Sequence, residues 1–478
     1  MTDITKFTLS GKTRTEHDLL GEMEVPVEYY FGIQTMRALD NFTISRSKLY
    51  DYPQFIYGLA DVKQAAALAN KDLGLLDKTI ADAIVKACEE IKNGQWRDHF
   101  QVDMVQGGAG TSTNMNANEV IANRALELLG HQKGEYTFCH PNNHVNLSQS
   151  TNDAYPTAIK IALYRSVGEL KKSLENLIKA LHQKAGQFVH VIKMGRTQLQ
   201  DAVPMTLGQE FEAFAATLQE ETERLEQNRK LLLEVNMGAT AIGTGINSDP
   251  AYTGICTKHL ARITGMEIVP ATNMIEATSD TGVFIMNSSA IKRLAVKLSK
   301  MCNDLRLLSS GPRTGLNEIN LPPMQPGSSI MPGKVNPVIP EVVNQIAYKV
   351  IGNDLTVTMA SEAGQLQLNV MEPIIALALL ENIEMLIQGM NTLRSKCITG
   401  ITANEDRCKD MVLHSIGLVT ALNPYLGYEK STTIAAEALQ TGKGVYELVL
   451  EKGWLDKSKL DEILKPENMI QPRKIQKD

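Results

Sequence analysis

The sequence predicts a mainly α-helical protein built around a domain of long helices. Three segments repeat apolar residues with the 3.5-residue period of helices that lie nearly parallel to their neighbours. These segments run from Leu163 to Leu181, from Phe211 to Leu232 and from Ile291 to Leu308. Only 5% of the residues are aromatic, and an aliphatic core suits close helix packing. The two-residue alternation of strands is hardly seen outside short stretches of about the first hundred residues.

The length of 478 residues corresponds to roughly three domains. The run HPNNHVNLSQSTNDAYP is dense in Asn, Ser and Pro, which predicts irregular backbone before a first long helix that begins near Thr157. The segment GITANEDRCKD ends the helical middle of the chain. We therefore expect an N-terminal mainly helical domain (1–150), a central long-helix bundle domain (151–405) and a small C-terminal helical domain (406–478). Because long helices leave alternate faces apolar, we also expect subunits to share the bundle.

The composition argues against several classes of protein. The net charge is -6 and no dense block of Lys and Arg is present, so we expect no nucleic-acid partner. The N-terminus is polar, and the apolar stretch IIALALL is too short to cross a bilayer, so we expect no membrane partner and a cytoplasmic location. The six cysteines form no C-x-x-C pair, which favours free, mostly buried thiols and no metal site.

The segment GSSIMPGKVNP (327–337) superficially looks like a nucleotide-binding loop. Five residues separate Gly327 from Gly333, however, and Val335 replaces the hydroxyl residue that binds magnesium. The preceding LPPMQP cannot form the buried strand that such a loop needs. The loop offers hydroxyls, backbone N–H groups, an ammonium and an amide, a set that suits a carboxylate. On composition alone, a solvated surface loop with an incidental lysine is the favoured alternative.

Three other segments favour the carboxylate-binding interpretation over a solvated surface loop, because they carry similar neutral donors. They are QGGAGTSTNMN (106–116), SQSTND (148–153) and KMGRTQLQD (193–201). Any one of them is explained by helix capping, for which Ser, Thr, Asn and Asp are the usual residues. Four such loops beside long helices together predict a site for a small, doubly anionic ligand. The candidate residues in these three segments are Thr111, Ser150, Thr151, Asn152, Thr197 and Gln198.

Two further patterns are weaker. His140 and His144 have the spacing of a zinc-binding helix, but Pro141 lies between them and no Glu follows His140. The segment GATAIGTG (238–245) lacks the strand and the acidic partner of a dinucleotide-binding loop, so we interpret it as a flexible turn.

These motifs resemble those of the fumarase/aspartase superfamily. GSSIMPGKVNP is similar to its signature loop, and the similarity extends over nearly the whole chain, from DLLGEMEVPVEYYFGIQT to GITANEDRC and beyond. ASEAGQLQLNVMEP and KMGRTQLQDAVPMTLGQEF resemble the ammonia-eliminating members more than the fumarases. The resemblance implies a carbon–nitrogen lyase that needs no cofactor and reversibly eliminates ammonia from L-aspartate in the anti sense to give fumarate. It also implies a homotetramer of three-domain subunits whose central helices merge, with each active site built from loops of three subunits.

The resemblance also implies a role for each matched residue. Ser328 matches the catalytic base. The other matched residues contact the substrate: Lys334, Asn336 and Thr197 at the α-carboxylate, Thr111, Ser150, Thr151 and Ser329 at the β-carboxylate, and Asn152 at the amino group. The chemistry is consistent with these roles, because removing a proton next to a carboxylate leaves a charged enediolate that needs preorganised donors. A serine acts as a base only where N–H groups and a cation such as Lys334 stabilise its alkoxide.

Two residues depart from the family pattern. Fumarases and some ammonia-eliminating members carry a histidine where this chain has Gln198, and glutamine cannot act as an acid. Because hydroxide needs an acid catalyst to leave and ammonia does not, Gln198 favours the amine substrate over malate. Asn143 replaces the usual Asp, which puts a secondary anion site near His140 in doubt. The alternatives are a class II fumarase and a non-catalytic scaffold derived from a lyase, although intact Ser328 and Lys334 argue against a scaffold.

Overall fold

The computed structural model describes residues 9–472 and confirms the mainly α-helical fold. Its helices are α1 (Ile33–Asn41), α2 (Pro53–Asp72), α3 (Lys78–Lys92), α4 (Thr111–Leu128), α5 (Thr151–Gln187), α6 (Leu207–Lys230), α7 (Tyr252–Thr264), α8 (Met274–Ser279), α9 (Gly282–Leu308), α10 (Val338–Glu362), α11 (Glu372–Lys396), α12 (Glu405–Leu413), α13 (Val419–Leu426), α14 (Tyr428–Thr441), α15 (Val445–Glu451), α16 (Lys457–Ile463) and α17 (Pro466–Met469).

The strands form four two-stranded sheets. Two are hairpins, β1 (Thr13–Asp18) with β2 (Gly21–Pro26) and β3 (Ile192–Thr197) with β4 (Gln200–Thr206). The other two are short pairs, β5 (Glu234–Val235) with β6 (Val269–Pro270) and β7 (Ile319–Asn320) with β8 (Thr402–Ala403). The second hairpin lies well beyond the N-terminal stretches in which the sequence showed strand alternation.

The three segments with the 3.5-residue period lie in α5, in α6 with the 3₁₀ turn that follows it (Leu231–Leu233), and in α9, as predicted. Their apolar residues are buried; Leu170, Leu174, Phe211 and Leu294, for example, are fully inaccessible to solvent. Hydrogen bonds also join the long helices pairwise, with donor–acceptor distances between 2.7 and 3.2 Å: Lys171 with Glu226 (α5–α6), Asn287 with Asn228 (α9–α6), Ser288 with Asp354 (α9–α10) and Asn353 with Asn382 (α10–α11). The long helices therefore form the expected bundle.

Helix α5 begins at Thr151 rather than near Thr157, so the predicted start was wrong. The hydroxyl oxygen of Ser150 accepts from the backbone N–H of Asn152 (3.2 Å), and Asp153 Oδ1 accepts from the backbone N–H of Ser150 (2.9 Å). This reciprocal capping satisfies two N–H groups at the helix N-terminus. It starts the helix ahead of Pro156, which was expected to stay outside it.

The chain divides into two compact units. Unit 1 comprises residues 1–171, 223–293 and 348–386, and unit 2 comprises residues 172–222, 294–347 and 387–478. In unit 1, α2 packs against α3 and α7. In unit 2, the C-terminal helices enclose an aliphatic core that includes Leu422, Ile434 and Leu448. The unit boundaries fall inside α5, α6, α9, α10 and α11, so each of these helices contributes residues to both units.

Two apolar surfaces stand out. Along α10, Tyr348, Ile351, Leu355 and Met359 are spaced by three or four residues, and they are 60%, 40%, 60% and 64% exposed. Within residues 9–472, one stretch (Glu372–Gly400) is long and apolar enough to cross a membrane by length and composition, and 61% of its most apolar window is buried inside the protein. Core helices that are apolar on all sides share that composition.

Candidate functional site

The predicted donors of unit 1 lie at the N-termini of two helices. Thr111 is the first residue of α4, where its hydroxyl donates to the Gly108 carbonyl (2.7 Å). Ser150, Thr151 and Asn152 are at the start of α5. The two helix starts are joined by Asn114, whose Nδ2 donates to Thr151 Oγ1 (3.1 Å). The structure therefore brings these four predicted donors into one region of unit 1.

Gly110 allows the two helix starts to approach. It precedes α4 with a φ of 88°, a conformation that favours glycine. A Cβ at this position would overlap the ring of Tyr155, which is buried in α5. Only a residue without a side chain therefore lets the first turn of α4 lie against the Tyr155 ring.

The segment 238–245 consists of turns, as the sequence predicted, and it lies beside Asn152. Asp153 Oδ2 accepts from the backbone N–H groups of Gly238 (3.1 Å) and Thr240 (2.9 Å), and Asn152 Nδ2 donates to the Ala241 carbonyl (2.7 Å). Asp153 is completely buried, and burial raises its pKa to about 6 against the lowering effect of these N–H donors. The sequence signal for this loop was its glycines, since Gly238, Gly243 and Gly245 all have positive φ.

The predicted residues of the 327–337 loop lie in unit 2. Ser328 Oγ accepts from the backbone N–H groups of Ile330 (3.2 Å) and Met331 (2.9 Å). Two N–H donors aimed at one hydroxyl oxygen favour its deprotonated form and so lower the barrier to its use as a base. These contacts supply the N–H part of the stabilisation that a serine alkoxide needs.

The ends of the same loop are fastened to each other. The Gly327 N–H donates to the Lys334 carbonyl (2.7 Å), and Asn336 Nδ2 donates to the Gly327 carbonyl (2.6 Å). An amide has two N–H donors, so this bond leaves Asn336 a second one for a ligand. Ser329 and Lys334 are exposed, and the tip carries the exposed apolar residue Ile330.

Thr197 and Gln198 lie at the tip of the β3–β4 hairpin, within the segment that was predicted to be a loop beside a long helix. Thr197 pairs with Gln200, so Gln198 and Leu199 form a two-residue turn. Both turn residues have positive φ, 54° and 63°, as in the turns that match strand twist. Glycine and asparagine are usual there, and strained backbone of this kind concentrates at functional sites.

The region around His140 is occupied by local hydrogen bonds. His140 Nδ1 accepts from the backbone N–H of Asn142 (3.0 Å) and Asn143 (3.3 Å), and His144 Nδ1 accepts from the His140 N–H (2.7 Å). Burial lowers the pKa of both imidazoles. A cavity of about 690 Å³ lies beside His140 and is lined also by Arg37. Across residues 9–472, no group of three or more His, Cys, Asp or Glu side chains is placed to hold a metal ion.

The chain matches two known families. Residues 21–352 match the family described as "Lyase", and residues 418–471 match the family described as "Fumarase C C-terminus".

Curated relatives and solved structures agree with these matches. Proteins named aspartate ammonia-lyase from Pseudomonas canavaninivorans, Helicobacter pylori (strain J99) and Escherichia coli (strain K12) are 62%, 59% and 56% identical, and each alignment covers 97% of this chain and 97% to 99% of the relative. A crystal structure of fumarate lyase:delta crystallin from Brucella melitensis bound to cobalt has a TM-score of 0.94 at 54% identity, covering 96% of this chain and 100% of that one. A class II fumarase from Schistosoma mansoni has a TM-score of 0.90 at 38% identity, covering 95% and 98%.

Proposed function

This chain belongs to the lyase family of the fumarases and aspartases, and we infer that it acts as an aspartate ammonia-lyase, a carbon–nitrogen lyase that converts L-aspartate to fumarate and ammonia. The observation that carries this conclusion is the 56% to 62% identity, over nearly the full length of both chains, to relatives with that name. The class II fumarase is similar at 38% identity. Gln198 at the tip of the β3–β4 hairpin also favours the amine, because its amide cannot act as the acid that a leaving hydroxide needs.

Ser328 is the proposed base. It takes a proton from the carbon next to the β-carboxylate, while the N–H groups of Ile330 and Met331 stabilise the alkoxide that does so. The electron pair left on carbon is delocalised into the β-carboxylate as an enediolate. This electron pair then forms the carbon–carbon double bond as the C–N bond breaks. The electrons of the C–N bond leave with the nitrogen of the substrate's ammonium group, which departs as neutral ammonia. No general acid is needed for that departure.

Neutral side chains and the ammonium group of Lys334 together hold the substrate. Thr111, Ser150, Thr151 and Ser329 are proposed for the β-carboxylate; Thr197, Lys334 and Asn336 are proposed for the α-carboxylate, Asn152 for the amino group, and Gln198 as a further substrate contact. Hydrogen bonds that strengthen as charge develops accelerate the reaction, whereas those that hold aspartate equally well do not.

A homotetramer is the proposed assembly, with each active site built from loops of three subunits. The exposed apolar stripe on α10, formed by Tyr348, Ile351, Leu355 and Met359, supports it, because such a stripe is usually covered by another helix. We expect Leu355→Glu to give particles smaller than the wild type by light scattering. Leu439→Glu is the control, since Leu439 is also an exposed leucine and lies on α14, outside the stripe. An unchanged mass for Leu355→Glu would contradict this role of the stripe.

The three-part division at residues 150 and 405 is also proposed, and the separate family match at residues 418–471 supports a distinct C-terminal part. We propose a cytoplasmic enzyme without a nucleic-acid or membrane partner. The six free, buried cysteines fit a reducing compartment.

The function is tested by supplying L-aspartate and L-malate separately and following fumarate by its ultraviolet absorbance. Turnover of aspartate, with malate inert, is the expected result. Turnover of malate alone would identify a fumarase, and inertness towards both would favour the scaffold alternative.

A further inference from the structure

Lys63 is a buried cation that none of the sequence motifs includes. It lies in α2 and is completely inaccessible to solvent. Its Nζ donates to three side-chain amide oxygens, Asn114 Oδ1 (2.7 Å), Asn146 Oδ1 (2.9 Å) and Gln149 Oε1 (2.8 Å). An ammonium group has three N–H donors and no acceptor, so these bonds use all of its protons.

The bond to Lys63 fixes which way the Asn114 amide faces. Because Oδ1 of Asn114 faces the ammonium, its Nδ2 faces the other way and donates to Thr151 Oγ1 (3.1 Å) and Asn146 Oδ1 (3.2 Å). A hydroxyl has one proton, and Thr151 does not need it for the bond with Asn114 because Asn114 is the donor there. Thr151 therefore keeps its proton for a different acceptor at the start of α5.

We propose that Lys63 is a positioning residue for the elimination, which holds Asn114 so that Thr151 donates its hydroxyl proton to the β-carboxylate of the substrate. This inference rests on the proposed function, in which Thr151 binds that carboxylate. A donor aimed at the β-carboxylate stabilises the enediolate more than aspartate, because negative charge accumulates there during proton removal.

The role requires the charged form of the lysine. Burial lowers the pKa of Lys63 to about 7, and the nearby carboxylate of Asp153 opposes that shift. A neutral amine has two protons and a lone pair, so one of the three amide oxygens would face the lone pair and lose its bond. If Asn114 then turned its oxygen towards Thr151, the hydroxyl would donate to Asn114 in place of the substrate.

The first test reverses the hydrogen bond without removing Lys63. Asn114→Asp preserves side-chain size and the acceptor for Lys63, but it presents an oxygen to Thr151, which then donates to the new carboxylate. We expect kcat/KM for L-aspartate to fall about 10-fold to about 100-fold, the loss typical of a hydrogen bond to a charged group. Most of that loss should appear in kcat, because the hydrogen bond is stronger to the enediolate than to aspartate, and the thermal midpoint of unfolding should stay unchanged. Partial misfolding would instead lower the thermal midpoint.

A matched control separates this effect from added charge. Asn118 lies one turn further along α4, is equally buried and bonds to Asn146 Oδ1 (3.1 Å) rather than to Thr151. Asn118→Asp introduces the same charge, and we expect a much smaller fall in kcat and kcat/KM. Equal changes for Asn114→Asp and Asn118→Asp would overturn the proposal.

A double-mutant cycle tests whether Lys63 and Asn114 act through Thr151. Thr151→Val removes the donor, and in that background neither Asn114→Asp nor Lys63→Gln should reduce kcat/KM further. Undiminished effects in the Thr151→Val background would mean that the two residues act by another route. Should Asn114→Asp fail to fold, Lys63→Gln carries the same comparison. An inert wild type would instead overturn the proposed function, so the two failures are distinguishable.

Discussion

Arg196 and Glu318 form a buried ion pair, with Arg196 Nη1 2.6 Å from Glu318 Oε1. Lys193 Nζ lies 2.9 Å from the other oxygen of the same carboxylate, and Glu318 is completely inaccessible to solvent. Arg196 directly precedes Thr197 on β3, and Glu318 directly precedes β7 and the chain that leads to Ser328. One carboxylate therefore connects the hairpin that carries Thr197 to the base of the loop that carries the proposed catalytic serine.

Replacing that carboxylate should weaken both folding and substrate binding. Glu318→Gln leaves the Arg196 guanidinium without this carboxylate and Lys193 with Glu210 as its remaining carboxylate partner. Breaking a buried pair typically costs about 3 to 5 kcal/mol of folding free energy. We expect a clearly lower thermal midpoint by calorimetry and a higher KM for L-aspartate. Glu451→Gln is the control, because Glu451 pairs with Lys443 at the surface, where such pairs contribute about 1 kcal/mol or less. Equal midpoints for the two variants would show that the buried pair does not hold this region together.

Removing the Ser328 hydroxyl should abolish deamination without unfolding the protein. General-base catalysis typically contributes about 10²-fold to 10⁴-fold, so kcat of Ser328→Ala should fall by at least that range. Fumarate binding, measured by calorimetric titration, should change little because the dicarboxylate donors remain. Ser395→Ala, in which an exposed helix serine is changed, should retain full activity. Retained turnover in Ser328→Ala would falsify the assignment of the base.

Gly110 should be more sensitive to substitution than another glycine of the same backbone geometry. Gly110 and Gly130 lie at the two ends of α4 with φ of 88° and 85°, but a Cβ at Gly130 has no neighbour within 4 Å. Gly130→Ala should lower the free energy of unfolding by about 1 to 2 kcal/mol through backbone strain alone. Gly110→Ala should cost about 1 to 3 kcal/mol more, because the methyl group overlaps the Tyr155 ring. The two variants are compared by their thermal midpoints of unfolding. Equal shifts of the midpoint would exclude a packing contribution from Tyr155.

Glu372 should make stability depend on pH. Burial raises the pKa of this carboxyl to about 8 from 4.5, and the cation of Lys160 only partly offsets the shift. The folded state therefore holds a proton that the unfolded state has released, so this contribution to stability is complete below about pH 4.5 and is lost as the pH rises to about 8. The loss is on the order of a few kcal/mol. Thermal midpoints measured across this range should decline less steeply in Glu372→Gln than in the wild type, and parallel profiles would contradict the assignment.

The long helices could be predicted because their signal is local. Spacings of three and four residues, as between Leu163, Val167 and Leu170, depend only on the neighbouring turns of one helix. The β3–β4 hairpin gives no comparable signal. A bulge between Met194 and Arg196 interrupts its alternation, and its turn consists of Gln198 and Leu199 without the usual glycine.

The donors of the site could be predicted from residue type. The buried side chains that hold these donors in place could not. Asn114 contacts Lys63, 51 residues away in the chain, and Asp153 caps Thr240, 87 residues away. A lysine inside a helix is usually a solvated residue, and no spacing indicates that Lys63 faces three amide oxygens. Such contacts depend on tertiary packing, so only the structure identifies them.

All six thiols are buried, as the cysteine pattern predicted, and burial raises the pKa of each. The thiolate is the form that attacks a thiol-specific reagent, so a buried thiol in the native chain reacts only after a local opening. Cys88, Cys139 and Cys256 belong to unit 1, and Cys302, Cys397 and Cys408 belong to unit 2. Each unit thus contains three buried cysteines whose labelling rates report local opening. Comparing these rates shows how often each of the two units opens.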